Sequence, residues 1–480
     1  MSLQKNFIYS SILTISTYLF PLIVYPYVSR ILGLSNIGIV NFVDNTVNYF
    51  VLISMMGITT VGIREIAAVR NDKQKLSKTF NSLLFLTGIT TAIAIIVLWI
   101  SMYTVPTLIP FQDLLYVGIL KLVFNLFLME WFFVGMEDFR FITNRSILVK
   151  CLYVLCVFLF VKHASDYKLY YAITVLAVVI NACVNLVYSC KFISYSLHDI
   201  NIRSFYKAFI IMGIYMLLTN VYTSLNPVWL GFVTNTDEVG NFTTATKLHN
   251  IIMAVFLSFT NILFPRVSNL LAEGKEEEFW RKINIAFDAV FLFAFPVIVF
   301  MLIAGPDLLH FVVGDGFEGA YTPLRIITPL VLIIGIEQIL VIQILMAMHQ
   351  DNIVLRNSLV GALAALILNI LITASMGAIG SALVWGTAEC IILVLSVYHI
   401  RKKFNYILPY KRLLGYCAAY LPLLLLLMGI YYLQENTYAM VGALIVLTFV
   451  YATMCEIFIL KNKVILQLKE KIHHPHRELM

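Results

Sequence analysis

Charge is scarce in this chain: acidic and basic residues together fill 12% of its 480 positions, about half the share in an ordinary soluble protein. Hydrophobic residues fill 61%, more apolar surface than a soluble fold of this size could hide. A soluble enzyme and a nucleic-acid binder are therefore excluded. Cysteine is sparse and unpatterned. Cys151, Cys156, Cys183, Cys190, Cys390, Cys417 and Cys455 sit in or beside apolar segments without CxxC spacing, which excludes a secreted disulfide scaffold and carries no metal signal. A Walker motif is missing, and the basic loops hold no acidic cluster of nucleotide-sugar or metal type, so neither ATPase nor metal chemistry is expected. His473-His474-Pro475-His476 reads as a solvated tail.

Long apolar runs are abundant. They predict an all-α polytopic membrane protein with spans near 6–29, 37–63, 80–102, 114–135, 146–162, 169–190, 208–232, 241–263, 283–304, 322–348, 357–375, 380–400, 413–433 and 439–460. At about 20 residues per span, about 14 spans use roughly 280 positions and leave loops too short for a folded extramembrane domain. The apolar run after Lys5 is too long for a signal peptide. Pro21 and Pro26 should bend the first span and Pro227 the seventh.

Basic residues set the orientation. Loops after even-numbered spans and both tails carry Lys5, Arg64, Arg70, Lys73, Arg140, Arg145, Arg356, Arg401, Lys402 and Lys403, among many others; the opposite loops carry only Arg30, Lys162 and Lys168. This asymmetry places both termini in the cytoplasm of a multi-pass inner-membrane protein. The net charge of +7 is then a consequence of topology and needs no acidic partner.

An internal repeat is visible at one constant offset. Asn36-Ile37-Gly38 matches Glu238-Val239-Gly240, and Arg64 with Asp72-Lys73 matches Arg266 with Gly274-Lys275, both shifted by 202 residues. The shift carries spans 1–6 onto 7–12 in the same orientation, as in parallel-repeat transporters with a cavity between two bundles. The expected division is an N-terminal lobe over 1–207, a C-terminal lobe over 208–412, two additional spans over 413–460 and a cytoplasmic tail over 461–480.

Ionisable residues inside spans cost about 2.5–3.5 kcal/mol each at a helix centre, so those that persist are candidates for function. Asp44, Lys121 and Lys247 each lie roughly 10 Å from the periplasmic end at 1.5 Å per residue; Arg325 is shallower. Asn41, Asp44, Asn45 and Asn48 share one helical face by their spacing of three, four and seven. That face should look into protein or water. One reading is a cationic, hydrated cavity that receives a diphosphate, since Lys and Arg suit phosphate oxygens. Snorkelling to headgroups is the bland alternative for Lys247 and Arg325, and a structural Asp44–Lys121 ion pair for those two. Lys150 reads as snorkelling. Among Glu130, Asp288, Glu337, Glu389 and Glu456, Glu337 joins Asp44 as a candidate for proton or sodium coupling; the other acids read as helix–helix contacts.

Several stretches resemble the Wzx-type O-antigen and capsular polysaccharide flippases of the multidrug/oligosaccharidyl-lipid/polysaccharide exporter superfamily. They are Glu130-Trp131-Phe132-Phe133 with Gly135, Glu137, Phe139, Asn144 and Lys150; Pro26 to Gly33 running on to Gly38; Phe264-Pro265-Arg266-Val267-Ser268; and Leu368-Asn369-Ile370 through Gly377 to Ala382 and Glu389. Met348-His349 departs from the Met-Gly often found there. The resemblance implies two six-helix lobes, alternating access, and transfer of undecaprenyl-diphosphate-linked repeat units to the periplasmic leaflet. It also implies, as partners, the lipid-linked oligosaccharide, membrane lipids, and a polysaccharide polymerase with its chain-length regulator. On that reading Arg30, Lys121, Lys247 and Arg325 hold the diphosphate, with Asp44, Asn45 and Asn48 beside them. Outward movement of an anion against an inside-negative potential is favourable by about 2.3 kcal/mol per charge per 100 mV. Two competing readings are a cation antiporter of the same superfamily, whose site should be acidic, and a membrane polymerase or transferase, which should carry a large periplasmic loop or clustered cytoplasmic acids.

Overall fold

The computed structural model describes residues 3–196, 200–433 and 437–462; the histidine-bearing tail lies outside the described residues. Among these no strand occurs; fourteen main helices follow one another once the kinks are taken as boundaries, and ten helical runs are long and apolar enough to cross a membrane. Leu3–Met55 is one helical run interrupted at Gly33 (φ 73, ψ 171), which makes α1 (3–32) and α2 (34–55). Only a residue without Cβ enters that region at little cost. The break falls at the glycine, while Pro21 and Pro26 stay inside α1. α3 is Lys73–Thr104, started by Asp72, whose carboxylate accepts the backbone N–H of Gln74 and Lys75 at 3.1 Å. Then come α4 (Gln112–Asn125), α5 (Phe139–Phe160), α6 (Tyr167–Ser189), α7 (Tyr206–Val233) and α8 (Thr236–Ala272). α9 is Glu276–Val313. α10 (321–346), α11 (351–376) and α12 (378–404) follow, the last two separated only by Gly377 (φ 56, ψ −133). α13 (Tyr410–Leu433) and α14 (437–459) complete the set.

These helices answer the apolar runs read from the sequence, with two interruptions that hydropathy did not signal. The second span, expected unbroken to 63, stops at Met56 (φ 35), and a separate helix, Ile58–Val69, carries its last residues. The fourth, expected over 114–135, stops at Asn125 and resumes as the short helix Glu130–Gly135 after Met129 (φ 45). A broken helix in hydrocarbon must satisfy its backbone from within the protein. Here the Asn185 side chain of α6 donates to the Leu128 carbonyl, and Arg145 of α5 donates to Asn185 Oδ1 (2.5 Å) and Glu130 Oε1 (2.9 Å). Arg145, counted from sequence as a loop cation, is thus buried within a helix. Lys150, read from sequence as snorkelling, donates its ammonium to Ser16 Oγ (2.9 Å) and Thr17 Oγ1 (3.1 Å) of α1.

The chain divides into two compact units, Met1–Thr243 and Thr244–Met480. In the first, Ile58, Phe80, Trp131, Phe132 and Phe133 form a buried cluster, with Phe80 stacked on Trp131 at 5.5 Å. In the second, Phe287, Phe291 and Phe295 of α9 pack on Tyr416 and Tyr420 of α13. Those two phenols both donate to the buried Glu456 of α14, at 2.8 and 3.0 Å, and Arg412 pairs with Asp288 of α9 at 2.6 Å. Outward faces are apolar: Ile93, Ile96 and Ile100 on α3, and Leu148, Leu155 and Leu159 on α5, are all exposed, as a lipid-facing surface requires.

Candidate functional site

The strongest constellation in the first unit is built on α2 and α4. Gly118 of α4 lies against Val47 of α2, so closely that a Cβ there would collide with the valine. One turn further along each helix, that approach sets Lys121 Nζ 2.5 Å from Asp44 Oδ1. Asn48 Nδ2 donates to the other carboxylate oxygen at 3.0 Å. Tyr153 of α5 and Tyr170 of α6, whose hydroxyls lie 3.4 Å apart, are within electrostatic reach of Asp44. The side chains of Lys121 and Asp44 keep 12% and 28% exposure, so the pair is sheltered but reachable from the Asp44 side. The ion pair that the sequence left as one alternative is therefore formed. Its Lys is not a bare cation awaiting a ligand.

The polar strip of α2 divides into two pairs. Asp44 and Asn48 serve Lys121, whereas Asn45 Nδ2 donates to the Asn41 carbonyl at 2.7 Å and Asn41 Nδ2 donates to Thr243 Oγ1 at 2.9 Å. Shared helical spacing put all four on one side, but partners on different helices draw its two edges apart. Asn41 and Thr243 are 202 residues apart, the offset of the internal repeat. Gly38 and Gly240, also related by that offset, touch backbone to backbone, with no room for a Cβ on Gly38 against Thr236. Contacts between equivalent residues are what a local two-fold relation produces.

The remaining candidates are scattered. Arg30 is exposed at the end of α1. Lys247 is half-buried on α8, and Arg325 is exposed on the first turns of α10, within Tyr321–Ile327. Glu337 of α10 faces Glu389 of α12, within electrostatic reach of it. Trp385 Nε1 donates to Glu389 Oε1 at 2.9 Å, and the buried ring of His249 meets Trp385 edge-on at 5.2 Å. Glu337 Oε2 and His249 Nε2 are buried and carry no hydrogen bond.

Sequence reasoning selected Glu337 but took Glu389 for an ordinary helix contact, and missed Trp385 and His249 altogether. The spacing of Trp385 and Glu389, four apart on one helix, was the available signal; their meeting with α10 and α8 was not encoded locally. No group of three or more potential metal ligands occurs among the described residues.

Comparison with known proteins adds the context. The family model for polysaccharide biosynthesis proteins matches residues 3–271. A protein of Escherichia coli (strain K12) named as an O-antigen transporter is 25% identical over 411 residues, spanning 84% of this chain and 97% of its own length. Another, from Shigella dysenteriae and named the same way, is 23% identical over 76% of this chain and 91% of its own. Among solved structures the lipid II flippase MurJ, in an inward closed conformation, superimposes with a TM-score of 0.79 at 14% identity, covering 94% of this chain and 98% of that one. The last likeness is one of fold.

Proposed function

The chain belongs to the polysaccharide biosynthesis protein family, and from that premise we propose that it is a flippase, not an enzyme, that moves a lipid-linked oligosaccharide across the membrane. The observation that carries this reading is likeness along almost the whole length of proteins named as O-antigen transporters, together with a fold that has ten helical runs long and apolar enough to cross a membrane among the described residues. The proposed substrate is an undecaprenyl-diphosphate-linked repeat unit for O-antigen or capsule. It is delivered from the cytoplasmic to the periplasmic leaflet of the inner membrane, where a polymerase with its chain-length regulator would take it up. The strong bias of basic residues to one side of the spans supports cytoplasmic termini.

The Lys121–Asp44 pair suggests how an anion is handled. Lys121 has three N–H donors and Asp44 takes one, so a phosphate oxygen can join the carboxylate on the same ammonium. Diphosphate binding is then centred on this residue pair, with Asn48 holding the second carboxylate oxygen and Arg30 proposed as a further phosphate ligand on the ground of its charge. Lys247 and Arg325 are retained as phosphate ligands on the ground of charge alone. The neighbouring carboxyls of Glu337 and Glu389, beside Trp385 and His249, support a second candidate site for ion coupling.

The test is complementation in a bacterial strain that depends on this protein for surface polysaccharide. Lys121→Ala, at normal protein level, should abolish polymer display and leave lipid-linked units in the inner leaflet. Asp44→Asn, which keeps a polar partner for Lys121, should retain partial display. Full display by Lys121→Ala would reject the phosphate role. Uptake or extrusion of organic cations by the purified protein would instead favour the antiporter reading.

A further inference from the structure

In the second unit, the loop-side ends of α11 and α12 enclose a cleft of 560 Å³ lined by Ile353, Arg356, Tyr398, His399, Lys402 and Lys403. Every charged residue in that lining is basic or a histidine. The cations are held in place by neutral groups. His399 Nδ1 lies 2.7 Å from the Leu395 carbonyl; a carbonyl only accepts, so Nδ1 donates, and in the neutral ring Nε2 is left to accept from Arg356 Nη2, which it contacts. Lys403 Nζ donates to Gln350 Oε1. Lys402 Nζ stands 5.8 Å from the centre of the Tyr398 ring. Among the described residues no carboxylate pairs with Arg356, Lys402 or Lys403, and the nearest acid along α11, Asp351, does not line the cleft. Three like charges brought together without a counter-charge create a strong positive potential.

The surface above the cleft is apolar on both helices. On α11, Val360, Leu363 and Ile367 follow Arg356 at intervals of four, three and four, and all are exposed. On α12, Tyr398 and Val394 precede Lys402 at intervals of four, and both are exposed. Intervals of three and four keep each set on one face of its helix. Two apolar tracks therefore rise from one basic cleft.

We propose that the cleft of Arg356, His399, Lys402 and Lys403 binds the phosphate of a two-chain anionic phospholipid, whose acyl chains lie along the exposed tracks of α11 and α12. Basic pockets between membrane helices recognise such headgroups. Two separate tracks fit a diacyl lipid better than a single polyprenyl chain. Arg356, oriented by His399, supplies a planar fork for two phosphate oxygens; Lys402 and Lys403 add point charges. The site does not depend on the flippase reading.

Native mass spectrometry of the purified full chain, released from micelles supplemented with palmitoyl-oleoyl phosphatidylglycerol or with the matching phosphatidylcholine, tests the site. The wild-type chain should retain phosphatidylglycerol preferentially. Arg356→Ala/Lys402→Ala/Lys403→Ala should lower that retention by about fivefold per charge removed and leave phosphatidylcholine unchanged. Lys402→Gln/Lys403→Gln, confined to the cleft's outer side, should give a proportionate fall if the triple variant does not fold. Removing two cations of the first unit, which do not line the cleft, with Lys73→Ala/Lys78→Ala should change nothing. Equal retention of both lipids by the wild-type chain, or undiminished phosphatidylglycerol binding by the cleft variants, overturns the proposal. So does displacement by an equal concentration of inorganic phosphate, which marks a free-anion site, or by undecaprenyl diphosphate, which marks a substrate site.

Discussion

Lys121 and Asp44 behave energetically as a pair, and each is costly without the other. Removing one partner of a buried ion pair destabilises by about 3–5 kcal/mol, and the 28% exposure of Asp44 favours the lower end. Lys121→Ala is therefore expected to lower thermal stability in detergent, and Lys121→Ala/Asp44→Ala to regain most of it, because no stranded charge remains. A double variant no more stable than the single one would show that the pair is not the source of the loss. Arg145 poses a sharper case. Its guanidinium serves Glu130, Asn185 and Ser146 at once, and Asn185 in turn satisfies Leu128 where the fourth span is broken. Arg145→Lys should rescue little, since an ammonium cannot reproduce the fork; unfolding midpoints of Arg145→Lys and Arg145→Met that lie close together would bear this out. Such roles were not legible from sequence. Periodicity shows which residues share a face, but not which distant helix that face meets. That is why Lys150 read as snorkelling and Arg145 as a loop charge.

At the scale of helices, length and apolar content sufficed to place the spans, because a run of about 20 apolar residues has few other homes. The turns at Gly33 and Gly377 join consecutive helices through single residues in conformations that a side chain disfavours. The sequence marked both glycines only as parts of family-like stretches. Gly38 is different: its backbone is helical, and its absent side chain is what lets α2 meet α8 at Thr236 and Gly240. Gly38→Val should force those helices apart, with loss of folded protein or of transport at normal abundance, whereas Gly415→Ala, where nothing lies nearby, should be silent. Equal behaviour of the two variants would contradict the close-crossing account. The Asn41–Thr243 bond joins residues separated by the same 202 positions as the two short sequence matches.

For the molecule as a whole, the distribution of basic residues makes a topological statement that can be checked directly. Cys190 is exposed at the end of α6, and the proposed orientation puts it on the cytoplasmic side. In a variant retaining only this cysteine, a membrane-impermeant maleimide should label inside-out vesicles and leave intact spheroplasts unlabelled; the opposite pattern would reverse the assigned orientation. Function at this scale rests on transport itself. The most direct measurement places the purified chain in proteoliposomes with an undecaprenyl-diphosphate-linked oligosaccharide and follows how much of the sugar becomes accessible to an external lectin. Wild-type protein should expose lipid-linked sugar well above protein-free vesicles, and Lys121→Ala at the same density should not. Wild-type vesicles indistinguishable from protein-free ones would contradict the account.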